Sequence, residues 1–333
     1  MSYLYVTEQG STISIEANYV KVQKEETKWR KVPIETLESI SIFGRAQMTT
    51  QCTVECLKRG VPVNYYSKNG SYFGCLESTG HIQVERQRKQ AELYHSEFAL
   101  ELGRKILQTK VKNQEVVLRR YARNQNEDIN EEIKMMHISY SKMKDCSGVE
   151  QLMGYEGTAA KYYFQGLAKL VEPEFYFRGR NRRPPKDEFN SLLSLGYSIV
   201  MNEIYGKIQA KGLNPYFGFI HQDREKHPTL ASDLMEEWRA VIVDSVVMSL
   251  LNGHEMDKTH FRREDEEPGV FLTNDGMKIF LNKMNSKLNT YCRYLDYIEY
   301  EVSFRRAMEL QVGQLAKAIE QGDAGLYVPM RIR

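Results

Sequence analysis

The stretch GFIHQDREKHPTLASDLMEEW, residues 218–238, ends an apolar run on His221 and places Asp233, Glu236 and Glu237 about a dozen positions later. An imidazole and carboxylates are donors for a divalent metal ion, but each also has an ordinary structural use. A histidine at the exit of a stiff apolar segment is more often a hydrogen-bonded core residue. Asp233-x-x-Glu236 has the spacing of a capping box, which would start the helix late and leave Pro228 to Ser232 outside it. If the helix starts near Pro228 instead, Asp233 and Glu236 share a face, with Asp244 three turns further on. An acidic edge on so apolar a helix suggests a cavity lined by the protein.

A further carboxylate stands in SGVEQLMGYEGTAAKYYFQGLAKLV. Leu152, Met153, Ala159, Ala160, Tyr163, Leu167 and Leu170 make a helical apolar stripe, and Glu156 falls on it. A carboxylate on a buried face must be neutralised, paired or coordinated. A buried ion pair with an arginine or lysine accounts for Glu156 as well as a metal does. Gly154 and Gly157 flank it and weaken the helix, and close approach by a backbone or a ligand would explain them. Together, Glu156, His221 and Glu236 supply two carboxylates and one imidazole, a set suited to Mg²⁺ or Mn²⁺. Phosphodiester chemistry needs a metal that neutralises charge on phosphorus and activates the attacking oxygen.

RGRNRRPPK, residues 178–186, holds Arg178, Arg180, Arg182, Arg183 and Lys186 with no acid among them. Pro184-Pro185 keeps the segment extended, and Asp187 is a candidate N-cap for the helix that follows. Guanidinium groups on such a rim suit the bidentate binding of phosphate, although a solvated basic loop is the plain alternative.

These groups are set on two kinds of chain. Residues 1–80 alternate in the strand period, with a short helix from about Thr49 to Lys58 stopped at Gly60 and a closing hairpin around Asn69-Gly70. From about residue 84 the period becomes helical. Helices are expected over about 84–123, 130–144, 148–170, 188–210 and 229–251, then from Asp275 through Tyr291 and on to Ala318. The expected fold is α+β and multidomain, a β-sheet or sandwich domain (1–83) followed by a larger all-α catalytic and DNA-binding domain (84–333).

The chain has 333 residues, 46 Lys and Arg against 44 Asp and Glu, so a nucleic-acid argument must rest on local clusters and not on the net charge of +2. No segment approaches the run of about 18 apolar residues that a membrane span needs. MSYLYVTEQG lacks the basic and apolar regions of a secretory signal, which makes the cytoplasm the expected location. Cys52 and Cys56 lie four apart without the further soft ligands zinc requires, so buried reduced thiols are expected.

GYEG in its helix, RGRNRRPPKDEFNSLLSLGYS, NPYFGFIH and SDLMEEWR, in this order and approximate spacing, resemble the CRISPR-associated spacer-acquisition integrase and endonuclease family (Cas-one). With the N-terminal β domain included, the resemblance covers nearly the whole chain. It implies a metal-dependent DNA endonuclease and integrase with Glu156, His221 and Glu236 as metal ligands and Asp233 as a further acid assisting them. It also implies a homodimer formed through the β domain, and assembly with a small CRISPR-associated partner protein (Cas-two). Prespacer DNA 3′-hydroxyls would attack the repeat of a CRISPR array by transesterification. Arg178, Arg180, Arg182, Arg183 and Lys186 are then the candidates for DNA backbone contacts, with Arg262 and Arg263 behind them.

Overall fold

The computed structural model describes residues 2–24, 28–80, 82–125, 127–181, 184–263 and 269–332. The chain divides into two compact units, Met1–Ile82 and Gln83–Arg333. The fold class is α+β, as the change of period indicates.

In the first unit, strands β1 (Ser2–Val6), β2 (Ser11–Glu16), β3 (Tyr19–Lys24), β4 (Lys28–Pro33), β5 (Leu37–Phe43) and β6 (Ala46–Met48) precede helix α1 (Thr50–Arg59) and strands β7 (Val63–Tyr66) and β8 (Tyr72–Leu76). They form two four-stranded sheets, ordered β1-β5-β7-β8 and β4-β3-β2-β6. Alternation puts one face of each strand inward, so Leu4, Ile13, Val20, Ile40 and Val63 share a core with Cys52 and Cys56 of α1. Both thiols are free and buried. Thr49 caps α1 by accepting from the amide of Cys52, and Gly60 closes it at φ +67°. The β7–β8 hairpin turns through Gly70 at φ +86°.

The second unit runs α2 (Val84–Glu92), α3 (Glu97–Gln125), α4 (Asn130–Lys142), α5 (Val149–Leu170), α6 (Glu188–Ala210), α7 (Thr229–Met235), a π-helical turn (Arg239–Asp244) and α8 (Ser245–Asn252). Then come β9 (Phe261–Arg263), β10 (Val270–Leu272), α9 (Asn274–Asn289), β11 (Tyr291–Cys292), β12 (Val302–Ser303) and α10 (Phe304–Gln321).

Three expectations are refined. The helix expected from residue 84 is two, because His95 takes a left-handed φ of +58° that a helix cannot carry. The helix expected over 229–251 is α7, a tight turn, the π segment and α8. The helical unit also carries two short antiparallel ribbons, β9–β10 and β11–β12, one of which replaces the continuous run expected after residue 289.

Helix α6 is the hub of this unit. Phe189, Leu192, Leu193, Val200 and Ile208 are fully buried. At Gly196 a Cβ would stand 2.4 Å from Val243 Cγ1, so only glycine lets α6 approach the π turn this closely. Among the described residues no helix is long and apolar enough to cross a membrane.

Candidate metal and nucleic-acid site

Four elements meet at one buried point. Helix α5 carries Glu156 at the edge of its buried stripe, between Leu152 and Ala159, both 0% exposed. Helix α7 ends in Glu236, its C-cap, and the π turn opens with Arg239. A turn at Pro215 and Tyr216, followed by a bend over Phe219 to His221, delivers His221 ahead of α7. Helix α3 contributes Lys110 from its buried side.

His221 is placed by a clamp. Asp233 Oδ2 accepts from the amides of Phe219 (2.6 Å) and Ile220 (3.0 Å). Its Oδ1 accepts from the His221 amide (3.0 Å) and lies 2.6 Å from His221 Nδ1. A ring nitrogen that close to a carboxylate is assigned a proton, and Nε2 faces Glu236 Oε1, 3.6 Å away. Gly218 makes the clamp possible, since a Cβ there would lie 2.7 Å from Thr229 Cβ and 2.9 Å from Asp233 Oδ2. Burial alone would lower the His221 pKa, but its hydrogen bond to Asp233 and the charges of Asp233 and Glu236 raise it.

The capping box is therefore not the use of Asp233. Its side chain bonds the 219–221 backbone, α7 starts at Thr229, and the Glu236 amide bonds the Asp233 carbonyl oxygen instead.

The two glutamates converge on a cation. Lys110 Nζ is hydrogen bonded to Glu156 Oε1 and stands 2.5 Å from Glu236 Oε2. The side chains of Lys110 and Glu236 are 7% and 4% exposed, so this is a buried ion pair shared between two acids. Lys110 is the ion-pair partner of Glu236 Oε2. Arg239 Nη2 reaches Glu236 Oε1 at 2.9 Å. Burial would raise the Glu236 pKa, but Arg239, Lys110 and His221 hold it well below the usual carboxylate range. The opposing terms also act on Lys110: burial lowers its pKa, and Glu156 and Glu236 outweigh that.

Around this point opens a cavity of about 1150 Å³, lined among others by Lys110, Glu156, His221, Glu236, Arg239 and Arg178. Gly157 lines it too, and no neighbouring backbone approaches Gly154 or Gly157: a Cβ at either would meet nothing within 4 Å. The glycines leave open space beside Glu156.

The basic loop separates into unlike parts. Arg178 is exposed at the cavity rim. Arg180 is built into the wall, with Nη1 donating to Asn190 Oδ1 (2.8 Å), Nη2 to Ser194 Oγ (3.1 Å) and its guanidinium 5.3 Å over the Tyr197 ring. The amide of Lys186 bonds Asn181 Oδ1, and its side chain is not among the groups lining the cavity. Asp187 caps α6 by accepting from the Asn190 amide at 2.7 Å. Arg182 and Arg183 lie outside the described residues.

Lys110, Arg239 and Tyr197 are the residues that reading the sequence missed. Lys110 carries the same signal as Glu156, a charge among buried neighbours: Ile106, Leu107 and Val111 are 0–1% exposed. Asp244 and Glu237 serve the scaffold. Asp244 accepts from Tyr163 and Tyr197 at 2.8 and 2.5 Å, and burial pushes its pKa up to about 6 despite those bonds. Glu237 fastens the C-terminal segment through the Tyr327 hydroxyl (2.8 Å), the Met330 amide (2.7 Å) and Gln311.

A carboxylate-floored cavity with a basic rim thus lies in the helical unit of a two-unit α+β chain. The sequence matches the family described as CRISPR associated protein Cas1 over residues 4–286. A CRISPR-associated endonuclease Cas1 of Mycobacterium tuberculosis is 36% identical over 333 residues, covering 100% of this chain and 98% of that protein. A CRISPR-associated endonuclease Cas1 of Thermus thermophilus is 32% identical, covering 99% and 97%. Among solved structures, a Cas1 protein from Thermotoga maritima superposes with a TM-score of 0.82 at 23% identity, covering 97% of this chain and 98% of that one. A casposase bound to integration product gives 0.86 at 23% identity, covering 100% and 96%. The chain belongs to the Cas1 family.

Proposed function

We propose that this chain is a metal-dependent DNA endonuclease and integrase of CRISPR adaptation, joining prespacer 3′-OH ends to the repeat of a CRISPR array. The observation that carries the reading is the convergence of Glu156 and Glu236, from separate elements, on one buried cation at the floor of a cavity with a basic rim. The curated relatives are named endonucleases, and one structural neighbour is a casposase captured with an integration product.

The donor set fits a hard divalent ion. Among the described residues no three His, Cys, Asp or Glu side chains stand together as a ready metal site, and the Lys110 ammonium contacts both glutamates. That ammonium is a stand-in cation, and the carboxylates of Glu156 and Glu236 and the Nε2 of His221 facing Glu236 are the donors available. Glu156, Glu236 and His221 would hold Mg²⁺ or Mn²⁺, which when bound would neutralise charge on the scissile phosphate and lower the pKa of the attacking hydroxyl.

The chain's own residues supply the rest. Asp233 keeps His221 in the Nδ1–H tautomer and fixes its backbone, a positioning role. Arg178 at the rim is placed to take a backbone phosphate, while Arg180, held by Asn190 and Ser194, stiffens the loop that carries it. In the reaction the prespacer 3′-hydroxyl gives its proton to solvent and its oxygen bonds to phosphorus as the 3′-oxygen of the repeat strand leaves and takes a proton from solvent. Water in place of the hydroxyl gives hydrolysis at the same site. A homodimer through the β unit, a Cas2-type partner, as in the Cas6-RT-Cas1–Cas2 complex that shares this fold, and a cytoplasmic location complete the reading.

A strand-joining assay on a repeat-bearing plasmid with Mg²⁺ or Mn²⁺ tests it. Glu156→Ala should bind DNA nearly as the parent does and join none of it. Normal joining by that variant overturns the reading, and cutting without joining by the parent would favour a generic nuclease.

A further inference from the structure

The Lys110 contact is hard to explain as simple structural support. A lysine side chain gives up about 2 kcal/mol of rotamer entropy and its hydration to become buried, and such pairs seldom stabilise a fold over an apolar replacement. Here the ammonium is shared by two carboxylates from different elements, in the floor of an open cavity. The local charges already balance: Glu156 and Glu236 face Lys110 and Arg239. A divalent ion brought to the same point would meet that ammonium and leave two uncompensated positive charges. Arg239 cannot yield the space, because it is held 5.1 Å from the Tyr197 ring and bonded to the other oxygen of Glu236. Lys110 is on a flexible four-carbon stem beside an open cavity and can withdraw.

We propose that Lys110 is the resident counter-ion of the metal-free site, competing with the divalent cation for Glu156 and Glu236 and swinging into the cavity when the ion loads. Released there, its ammonium faces the position of the substrate phosphates, so metal loading and DNA binding favour each other. This rests on the metal reading of the site, but its tests separate the two. Isothermal titration with Mn²⁺ alone should show Lys110→Met binding at least tenfold more tightly than the parent. It should also show the parent, but not the variant, gaining affinity when a non-reactive DNA duplex is present.

If the parent binds no Mn²⁺ with or without DNA, the metal reading falls and this inference with it. If parent and variant bind Mn²⁺ equally, only the role given to Lys110 falls. A second measurement needs no variant. Lys110 in the parent protein should resist acylation by an amine-reactive ester in EDTA and become labelled in Mn²⁺, read on its peptide by mass spectrometry. Equal protection in both conditions overturns the proposal.

Discussion

Replacing Asp233 by Asn would separate positioning from charge more sharply than any other change in this site. The carboxylate accepts four hydrogen bonds, from the amides of Phe219, Ile220 and His221 and from His221 Nδ1. An Asn oxygen can keep the pair on Oδ2, but its NH₂ group then faces the two donors now served by Oδ1. Two bonds to a charged acceptor are lost, each worth about 1.5–3 kcal/mol, so Asp233→Asn should destabilise the protein by about 3–5 kcal/mol. For a unit of this size about 1 kcal/mol shifts Tm by roughly 2–4 °C, giving a fall near ~10 °C by calorimetry. The second effect is on function. With NH₂ facing Nδ1, that nitrogen must accept and not donate, so Nε2 keeps its proton and is lost as a metal ligand. DNA cleavage measured well below the variant's Tm should fall a further ~10–100-fold, the range typical of groups that orient a ligand from behind. A variant with a lowered Tm but parental cleavage would refute the tautomer argument. An unchanged Tm would refute the clamp.

Two other expectations follow from single features. Gly218→Ala puts a methyl group against Thr229 and Asp233, so it should lower Tm and Mn²⁺ affinity together, checked by calorimetry and titration; a silent substitution would mean the 218–221 segment is not held as described. Burial would raise the Glu115 pKa, but bonds from His137, Lys112 and Arg119 hold it down to about 2 from an ordinary 4.5. Its contribution is fully present above the unfolded value and is lost as pH falls through the folded one. Urea midpoints should therefore decline between about pH 4.5 and 2, and Glu115→Gln should flatten that decline by roughly 1–2 kcal/mol, allowing for the exposed partners.

The core of the site was legible because each of its members breaks an apolar pattern. Glu156 interrupts the α5 stripe, His221 ends a hydrophobic run, and Glu236 follows a helix whose residues are all buried. Lys110 breaks its pattern in the same way, but α3 alternates acids and bases along its length, and one more lysine there reads as part of the solvated face. The use of Asp233 could not be read, because its partners lie 12 to 14 residues upstream in a bent loop that only the tertiary fold brings over α7. The π turn was equally hidden. Its apolar residues continue the helical period, and the widening becomes visible only where Gly196 lets α6 press against Val243. Of the two reasons the sequence offers for the glycines around Glu156, no neighbouring backbone approaches them, and the open space they leave is room for a ligand.

The central claim is that Glu156, His221 and Glu236 hold a catalytic divalent ion in place of the Lys110 ammonium. The direct measurement is an anomalous difference map from crystals of the full chain soaked in Mn²⁺. The account predicts one strong peak about 2.0–2.3 Å from Glu156 and Glu236 oxygens and His221 Nε2, with Lys110 turned away into the cavity. Saturating Mn²⁺ with no peak there, and Lys110 still bridging the two glutamates, would contradict it.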